Sequence, residues 1–165
     1  MRYNQRTINW NFLGDIRMSI YEVQIRTPLL VQNLLMIWEK SVRATHQFLS
    51  DAEIRRIREY VPQALNGVAH LVVAEREPNV PIAFMGVEHN RLEMLFLTPS
   101  ERGRGLGKQL LQSGIQDYGI LELTVNEQNP QAVGFYEHLG FETYKRTDYD
   151  EEGNPYPLLY MRLRK

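Results

Sequence analysis

The 165-residue chain contains no cysteine. That excludes a thiol nucleophile, a cysteine-ligated zinc site, an iron–sulfur cluster and any disulfide. Its four histidines, His46, His70, His89 and His138, show neither an HExxH pair nor another close ligand spacing, so no metal is expected. Long apolar runs are also missing. The longest apolar segments, Leu29–Trp38 and Val68–Ala74, carry polar residues and fall far short of the ~20 residues of a membrane span. The opening MRYNQRTINWNFLGDIR lacks the apolar stretch and small-residue cleavage site of a secretory signal, so a cytoplasmic protein without a membrane partner is expected. Nor does one sign of charge dominate. Nineteen basic residues against twenty acidic ones leave a net charge of −1, too little to draw nucleic acid.

What is present is an ordinary globular composition, 43% hydrophobic and 24% charged, at the length of one domain. Residues 18–165 read as that domain. The preceding segment, 1–17, has no clear period and reads as an extension, either an arm for a partner or a residue of an upstream start. Strands are expected at Met18–Ile25, Ala69–Glu75, Ile82–Val87, Arg91–Leu97, Ile120–Val125, Phe141–Asp148 and Tyr156–Leu163. Helices are expected from Pro28, from the capping box Ser50-Asp51-Ala52-Glu53 to about Tyr60, from Gly105 to Tyr118, and from Pro130 to Leu139. Pro62 reads as the stop of the second helix. The order is β-α-α-β-β-β-α-β-α-β-β, a single α/β (α+β) domain.

The informative stretch is Leu95-Phe96-Leu97-Thr98-Pro99-Ser100-Glu101-Arg102-Gly103-Arg104-Gly105-Leu106-Gly107-Lys108. A strand ends, a loop with three glycines follows, and a helix begins. Glycines admit positive φ and let backbone approach a ligand. The helix start presents unpaired N–H groups and the positive end of its dipole, which suits an anion such as a pyrophosphate. A Walker A loop is excluded, because position 102 is Arg and position 109 is Gln. The dinucleotide fingerprint is excluded too, since neither Lys108 nor Leu110 supplies its last glycine. A glycine-rich turn with no ligand stays open on the loop alone.

The loop has the form Arg-x-x-Gly-x-Gly from Arg102 to Gly107, and further on comes Asn129-Pro-Gln-Ala-Val-Gly-Phe-Tyr136-Glu-His-Leu-Gly-Phe141. Together these resemble the GNAT (GCN5-related) N-acetyltransferases, over Tyr21 to Leu163. The stretches IWEKSVRATHQFLS and GNPYPLLYMRL look closest to small bacterial stand-alone members, the YjaB type. The resemblance implies a mixed central sheet of about six to seven strands, helices on both faces, and a bulged strand before the loop. It implies acetyl-CoA as co-substrate, with no metal. Backbone of Leu95, Phe96 and Leu97 would then hold the pantetheine arm and polarise the thioester. The amides of Gly103, Arg104, Gly105, Leu106, Gly107 and Lys108 would hold the pyrophosphate, with charge from Arg102 or Arg104. Asn129 matches the position whose side chain meets the pantetheine, and Tyr136 matches the general acid.

The implied reaction is direct attack of an amine on the thioester in a ternary complex. Glu93 and His46 are the candidates for receiving the amine or its proton; on residue type alone, each is as readily an ordinary surface carboxylate or a hydrogen-bonded histidine. Glu93 shares a strand face with Leu95 unless a bulge intervenes. Trp38, Ser41, Val42, Thr45, His46, Phe48 and Tyr156 are expected on the acceptor wall, mixed aromatic and polar, without a carboxylate cluster. Trp38 and Phe48 read equally well as core. The acceptor is a small-molecule or peptide amine. A non-catalytic acetyl-CoA sensor and an acyltransferase using another acyl-CoA remain as alternatives, and pairing of two copies through the bulged strand or the final hairpin stays open.

Overall fold

The computed structural model describes residues 8–10 and 18–165. In chain order the elements are β1 (Ile8–Trp10), β2 (Met18–Glu22), α1 (Pro28–Thr45), α2 (Asp51–Arg58), α3 (Val61–Gly67), β3 (His70–Glu77), β4 (Val80–Glu88) and β5 (Arg91–Leu97). A 3₁₀ turn at Pro99–Glu101 leads to α4 (Leu106–Tyr118), β6 (Glu122–Asn126), α5 (Pro130–His138), β7 (Phe141–Thr147) and β8 (Leu158–Leu163). The seven strands from Met18 onward form the expected mixed sheet. The three-residue β1 adds an eighth at its edge, in the order β1-β2-β3-β4-β5-β6-β8-β7. Apart from that strand, the expectation for segment 1–17 lies outside the described residues.

Sequence periodicity turns directly into layers. On β3, Leu71 and Val73 point to one face and Val72 and Ala74 to the other, as a period of two requires. The first face packs on Leu34, Trp38 and Val42 of α1, Ile54 of α2 and Leu65 of α3. The second packs on Leu106, Leu110 and Leu111 of α4. Helices thus cover both faces, and burying each such side chain contributes about 1.5–3 kcal/mol.

The helix starts are chemically specified. Thr27 accepts from the Leu30 N–H at 3.2 Å with Pro28 in the first turn. Ser50 and Glu53 exchange both bonds of a capping box, at 2.8 and 3.2 Å. Pro62 corrects the sequence expectation: it lies in the first turn of α3, where its missing N–H costs nothing, and opens a helix instead of only closing one. The C-terminal end of α3 is held by Arg26, whose guanidinium donates to the carbonyls of Leu65 and Asn66 at 2.8 Å.

Two features of the sheet make room for a ligand. Gly86 pairs with Met94 and Val87 with Leu92, so Glu93 is the extra residue of a bulge on β5. Among the described residues the one parallel pair, β5 with β6, is registered at Arg91–Glu122 and Leu92–Leu123 alone. Beyond Leu92 that side of β5 meets no strand among the described residues, and its backbone groups are open. The outer edge of the described sheet on that side is β7, blunted by Glu142, Lys145 and Arg146.

Candidate active site

The loop from Thr98 to Lys108 folds as its glycines dictate. Gly103 and Gly105 have φ of +73° and +84°, and a Cβ at either would meet nothing within 4 Å. The backbone there borders open space in a conformation that side chains disfavour. Gly105 is the N-cap of α4, with no side-chain cap and no acidic residue in the first turn. The α4 amides are therefore left for an anion. These residues wall a groove of about 670 Å³ together with Leu95, Leu97, Arg102, Lys108, Phe135 and Tyr136. A groove with an uncapped helix start and two cations at one end fits a diphosphate with an extended arm. Acetyl-CoA has that form, and supplies an activated acetyl thioester when bound.

Most of the residues expected at this groove line it, with four distinctions. Arg104 is exposed and outside the lining, which leaves Arg102 and Lys108 as the cations of the groove. The Leu106 side chain is buried in the core, so only its backbone is available. Phe96 turns to the α1 face, its ring 5.6 Å from that of Phe84. Asn129 is buried and caps α5, its Oδ1 accepting from the Ala132 N–H at 3.3 Å, while its Nδ2 donates to no described residue. Glu101 and His138 also line the groove and were not anticipated.

Tyr136 projects from α5 into the groove, its ring 5.2 Å from Phe135 and 6.1 Å from Phe141. The hydroxyl makes no hydrogen bond to a described residue, and burial pushes its pKa well above the ordinary value of 10. It is a phenol at neutral pH, able to give a proton and unable to take one.

On the opposite face of the sheet a second cavity, of about 380 Å³, is lined by His46, Phe48, Glu53, Arg56, Arg91, Glu93, Tyr156 and the loop Asp150–Asn154. The bulge turns Glu93 to this side. Leu92 and Leu95, three apart, both pack on the α4 face, so Glu93 does not share the face of Leu95. Its carboxylate meets Arg91 Nε at 3.1 Å, and burial raises its pKa, opposed by Arg91 and assisted by Glu151 and Glu88. Phe48 stacks between His46 and Tyr156 at 5.3 and 5.6 Å. Burial, then the nearby Arg102 charge, lowers the pKa of His46.

Four members of the expected wall lie outside the lining, Thr45 among them, bonded to the His46 ring. Trp38 is 6% exposed and Val42 3%, both in the core beneath α1, and Ser41 is buried with them. Helical periodicity put them on the face of His46 but could not tell the buried part of that face from its open end. Carboxylates do line the cavity, against expectation. Glu53, Asp150, Glu151 and Glu152 arrive from α2 and from the β7–β8 loop, which Tyr156 ties to α2 by donating its hydroxyl to Glu53.

The family described as an acetyltransferase (GNAT) domain matches residues 37–164. A peptidyl-lysine N-acetyltransferase of Salmonella typhimurium, YjaB, is 41% identical over 128 residues, which are 78% of this chain and 88% of that protein. The solution structure of apo-form YjaB from Escherichia coli superposes with a TM-score of 0.78 at 36% identity, covering 88% of this chain and 96% of that one. At 22% identity and a TM-score of 0.65, a Thermoplasma acidophilum PaiA N-acetyltransferase in complex with coenzyme A shares the fold over 90% of this chain and 99% of its own. A match of this extent, joined to a glycine cradle and a half-buried phenol in the same groove, shows that the chain belongs to the GNAT acetyltransferases and is an acetyl-CoA-dependent N-acetyltransferase.

Proposed function

We propose that the acceptor is the side-chain amine of a lysine in a peptide or protein. The observation that carries this is the charge of the second cavity: five carboxylates, Glu53, Glu93, Asp150, Glu151 and Glu152, against two guanidinium groups, Arg56 and Arg91. Such a wall attracts an ammonium and the basic chain around it. The activity named for the YjaB relatives, peptidyl-lysine N-acetylation, points the same way.

In this reading the chain's residues divide the work across the sheet. Open backbone of Leu95, Phe96 and Leu97 and the Nδ2 of Asn129 hold the pantetheine arm. One strand N–H meets the charge that develops on the thioester oxygen, in a site where a fixed donor acts without reorganising. The α4 amides, Arg102 and Lys108 hold the phosphates. Glu93 receives the ammonium at the bulge, with Phe48 beside its alkyl stem, and Tyr136 gives its proton to the departing sulfur. A reaction that consumes acetyl-CoA supports a place in the cytoplasm, a compartment that supplies it.

The test is thiol release from acetyl-CoA with lysine peptides, with amino acids and polyamines for comparison. The absence of cysteine keeps the protein background at zero. Release should be fastest with lysine flanked by basic residues and should fall as salt rises. Equal rates with acidic and basic flanks would overturn the peptide reading.

A further inference from the structure

His46 ends α1, its N–H bonded to the Val42 carbonyl at 2.8 Å, and its ring closes one side of the cavity that holds Glu93. The neighbouring Thr45 hydroxyl makes two contacts. Its Oγ1 donates to the Ser41 carbonyl at 2.8 Å, and lies 2.7 Å from His46 Nδ1. A hydroxyl has one proton. With that proton committed to Ser41, which can only accept, the 2.7 Å contact is a bond from Nδ1–H to Oγ1. The other nitrogen, Nε2, is then unprotonated. A histidine that lines a cavity with a free Nε2 and a fixed ring is equipped to take a proton from whatever enters.

We infer that His46 Nε2 is the proton acceptor for the incoming amine and that Thr45 is the positioning residue that holds it in this tautomer. The inference rests on the cavity of Glu93 and His46 being the acceptor site, and it divides the two candidates. Glu93 is engaged by Arg91 at 3.1 Å and serves as counter-ion to the ammonium. His46 carries no such partner on Nε2 among the described residues. The charged groups around it are Arg102 from the cofactor loop, Glu93 and Arg91 from β5, Glu53 and Arg56 from α2, and Asp150, Glu151 and Glu152 from the β7–β8 loop. Burial first, and then the Arg102 charge, lower its pKa from 6.5, so the imidazole is neutral at neutral pH and ready to accept.

The protons balance. His46 Nε2 takes one from the ammonium, and the freed lone pair forms the C–N bond as the C–S bond breaks. Tyr136 gives its proton to the sulfur and regains one from the new amide nitrogen. His46 then releases its proton to solvent, so the reaction yields acetamide, thiol and one proton.

The first measurement is the tautomer itself, from nitrogen–proton correlation spectra of histidine-labelled protein without ligand, with His46→Gln identifying the signal. Protonated Nδ1 and bare Nε2 in the wild type are expected. Protonated Nε2 would overturn the inference whatever the kinetics show. In Thr45→Val the signal should become a mixture and kcat for a lysine peptide should fall roughly tenfold with little change in KM, while Thr45→Ser should restore both. His46→Gln should lose roughly 10²-fold in kcat at neutral pH and recover as pH approaches ~10.4, where lysine deprotonates unaided. A His46→Gln loss that is flat with pH would remove His46 as base while leaving the acceptor cavity intact. Unchanged kcat and KM in both His46→Gln and Glu93→Gln would instead show that the amine binds elsewhere.

Discussion

Arg76 on β3 grips Glu101 with two nitrogens, Nε to Oε1 at 3.1 Å and Nη2 to Oε2 at 2.6 Å. Glu101 is 7% exposed and sits in the 3₁₀ turn one residue before Arg102, on the wall of the glycine-loop groove. The pair ties the start of the glycine loop to the body of the sheet. Removing Arg76 leaves a buried carboxylate unpaired, which costs about 2 kcal/mol once the partial exposure of the arginine is allowed for. Arg76→Ala should lower Tm by roughly 4–8 °C and raise the KM for acetyl-CoA more than that of the peptide. Arg76→Lys keeps the charge but loses the fork, and should fall between. Calorimetry and initial rates check both, and an unaltered acetyl-CoA KM would make the pair purely structural.

Tyr136 supports a sharper kinetic expectation. Tyr136→Phe keeps the ring against Phe135 and Phe141 and removes only the hydroxyl. Loss of a general acid should lower kcat by roughly 10²-fold, with acetyl-CoA affinity nearly unchanged. Because burial raises its pKa, the phenol keeps its proton on the alkaline side, and kcat should show no descending limb below about pH 10. A limb near pH 8 that vanishes in Tyr136→Phe would contradict this.

Gly105 lets charge be separated from backbone strain. At φ +84°, asparagine is among the few side chains tolerated, and aspartate is its isostere with a negative charge. Both variants carry the same conformational cost, about 1–2 kcal/mol. Only Gly105→Asp sets a carboxylate against the phosphates. It should bind acetyl-CoA at least tenfold more weakly than Gly105→Asn by titration calorimetry. Equal affinities would mean that the phosphates do not lie over the α4 N-terminus.

How far these residues were legible depends on whether their signal is local. Arg102 to Gly107 are read directly, because a strand, a glycine loop and a helix start are specified by adjacent residues. The α1 and α2 starts are read for the same reason, each being capped from within three residues. The third helix was missed because its C-terminal carbonyls are held by Arg26, 39 residues away from the nearest of them, and Pro62 alone signals a stop. The face of Glu93 stays open in the sequence because a bulge has no sequence period; only the pairing with β4 fixes it. The carboxylates of the acceptor cavity were missed for a related reason. Asp150, Glu151 and Glu152 lie in a turn that looks like any exposed acidic loop until Tyr156 fastens it to α2.

That fastening point has a pH dependence of its own. Glu53 accepts from the Tyr156 hydroxyl, and from the Ser50 hydroxyl and N–H at 2.7 and 2.8 Å. These bonds favour the carboxylate and pull its pKa from 4.5 down to about 2, the Tyr156 bond contributing most. A depressed acid stabilises the fold where it is ionised in both states. Its contribution is complete above pH 4.5 and is lost as pH falls towards 2. Glu53→Gln removes this linkage and should flatten that part of the dependence of Tm on pH relative to wild type. Tyr156→Phe should remove only the larger share, leaving the capping box in place. The same two variants should raise the peptide KM at neutral pH, because the loop carrying Asp150 to Glu152 is no longer tied over the cavity. The glycine-loop groove lies on the other face of the sheet, so acetyl-CoA binding is expected not to change. A pH dependence identical in all three proteins would mean that the tether between Tyr156 and Glu53 does not form in solution.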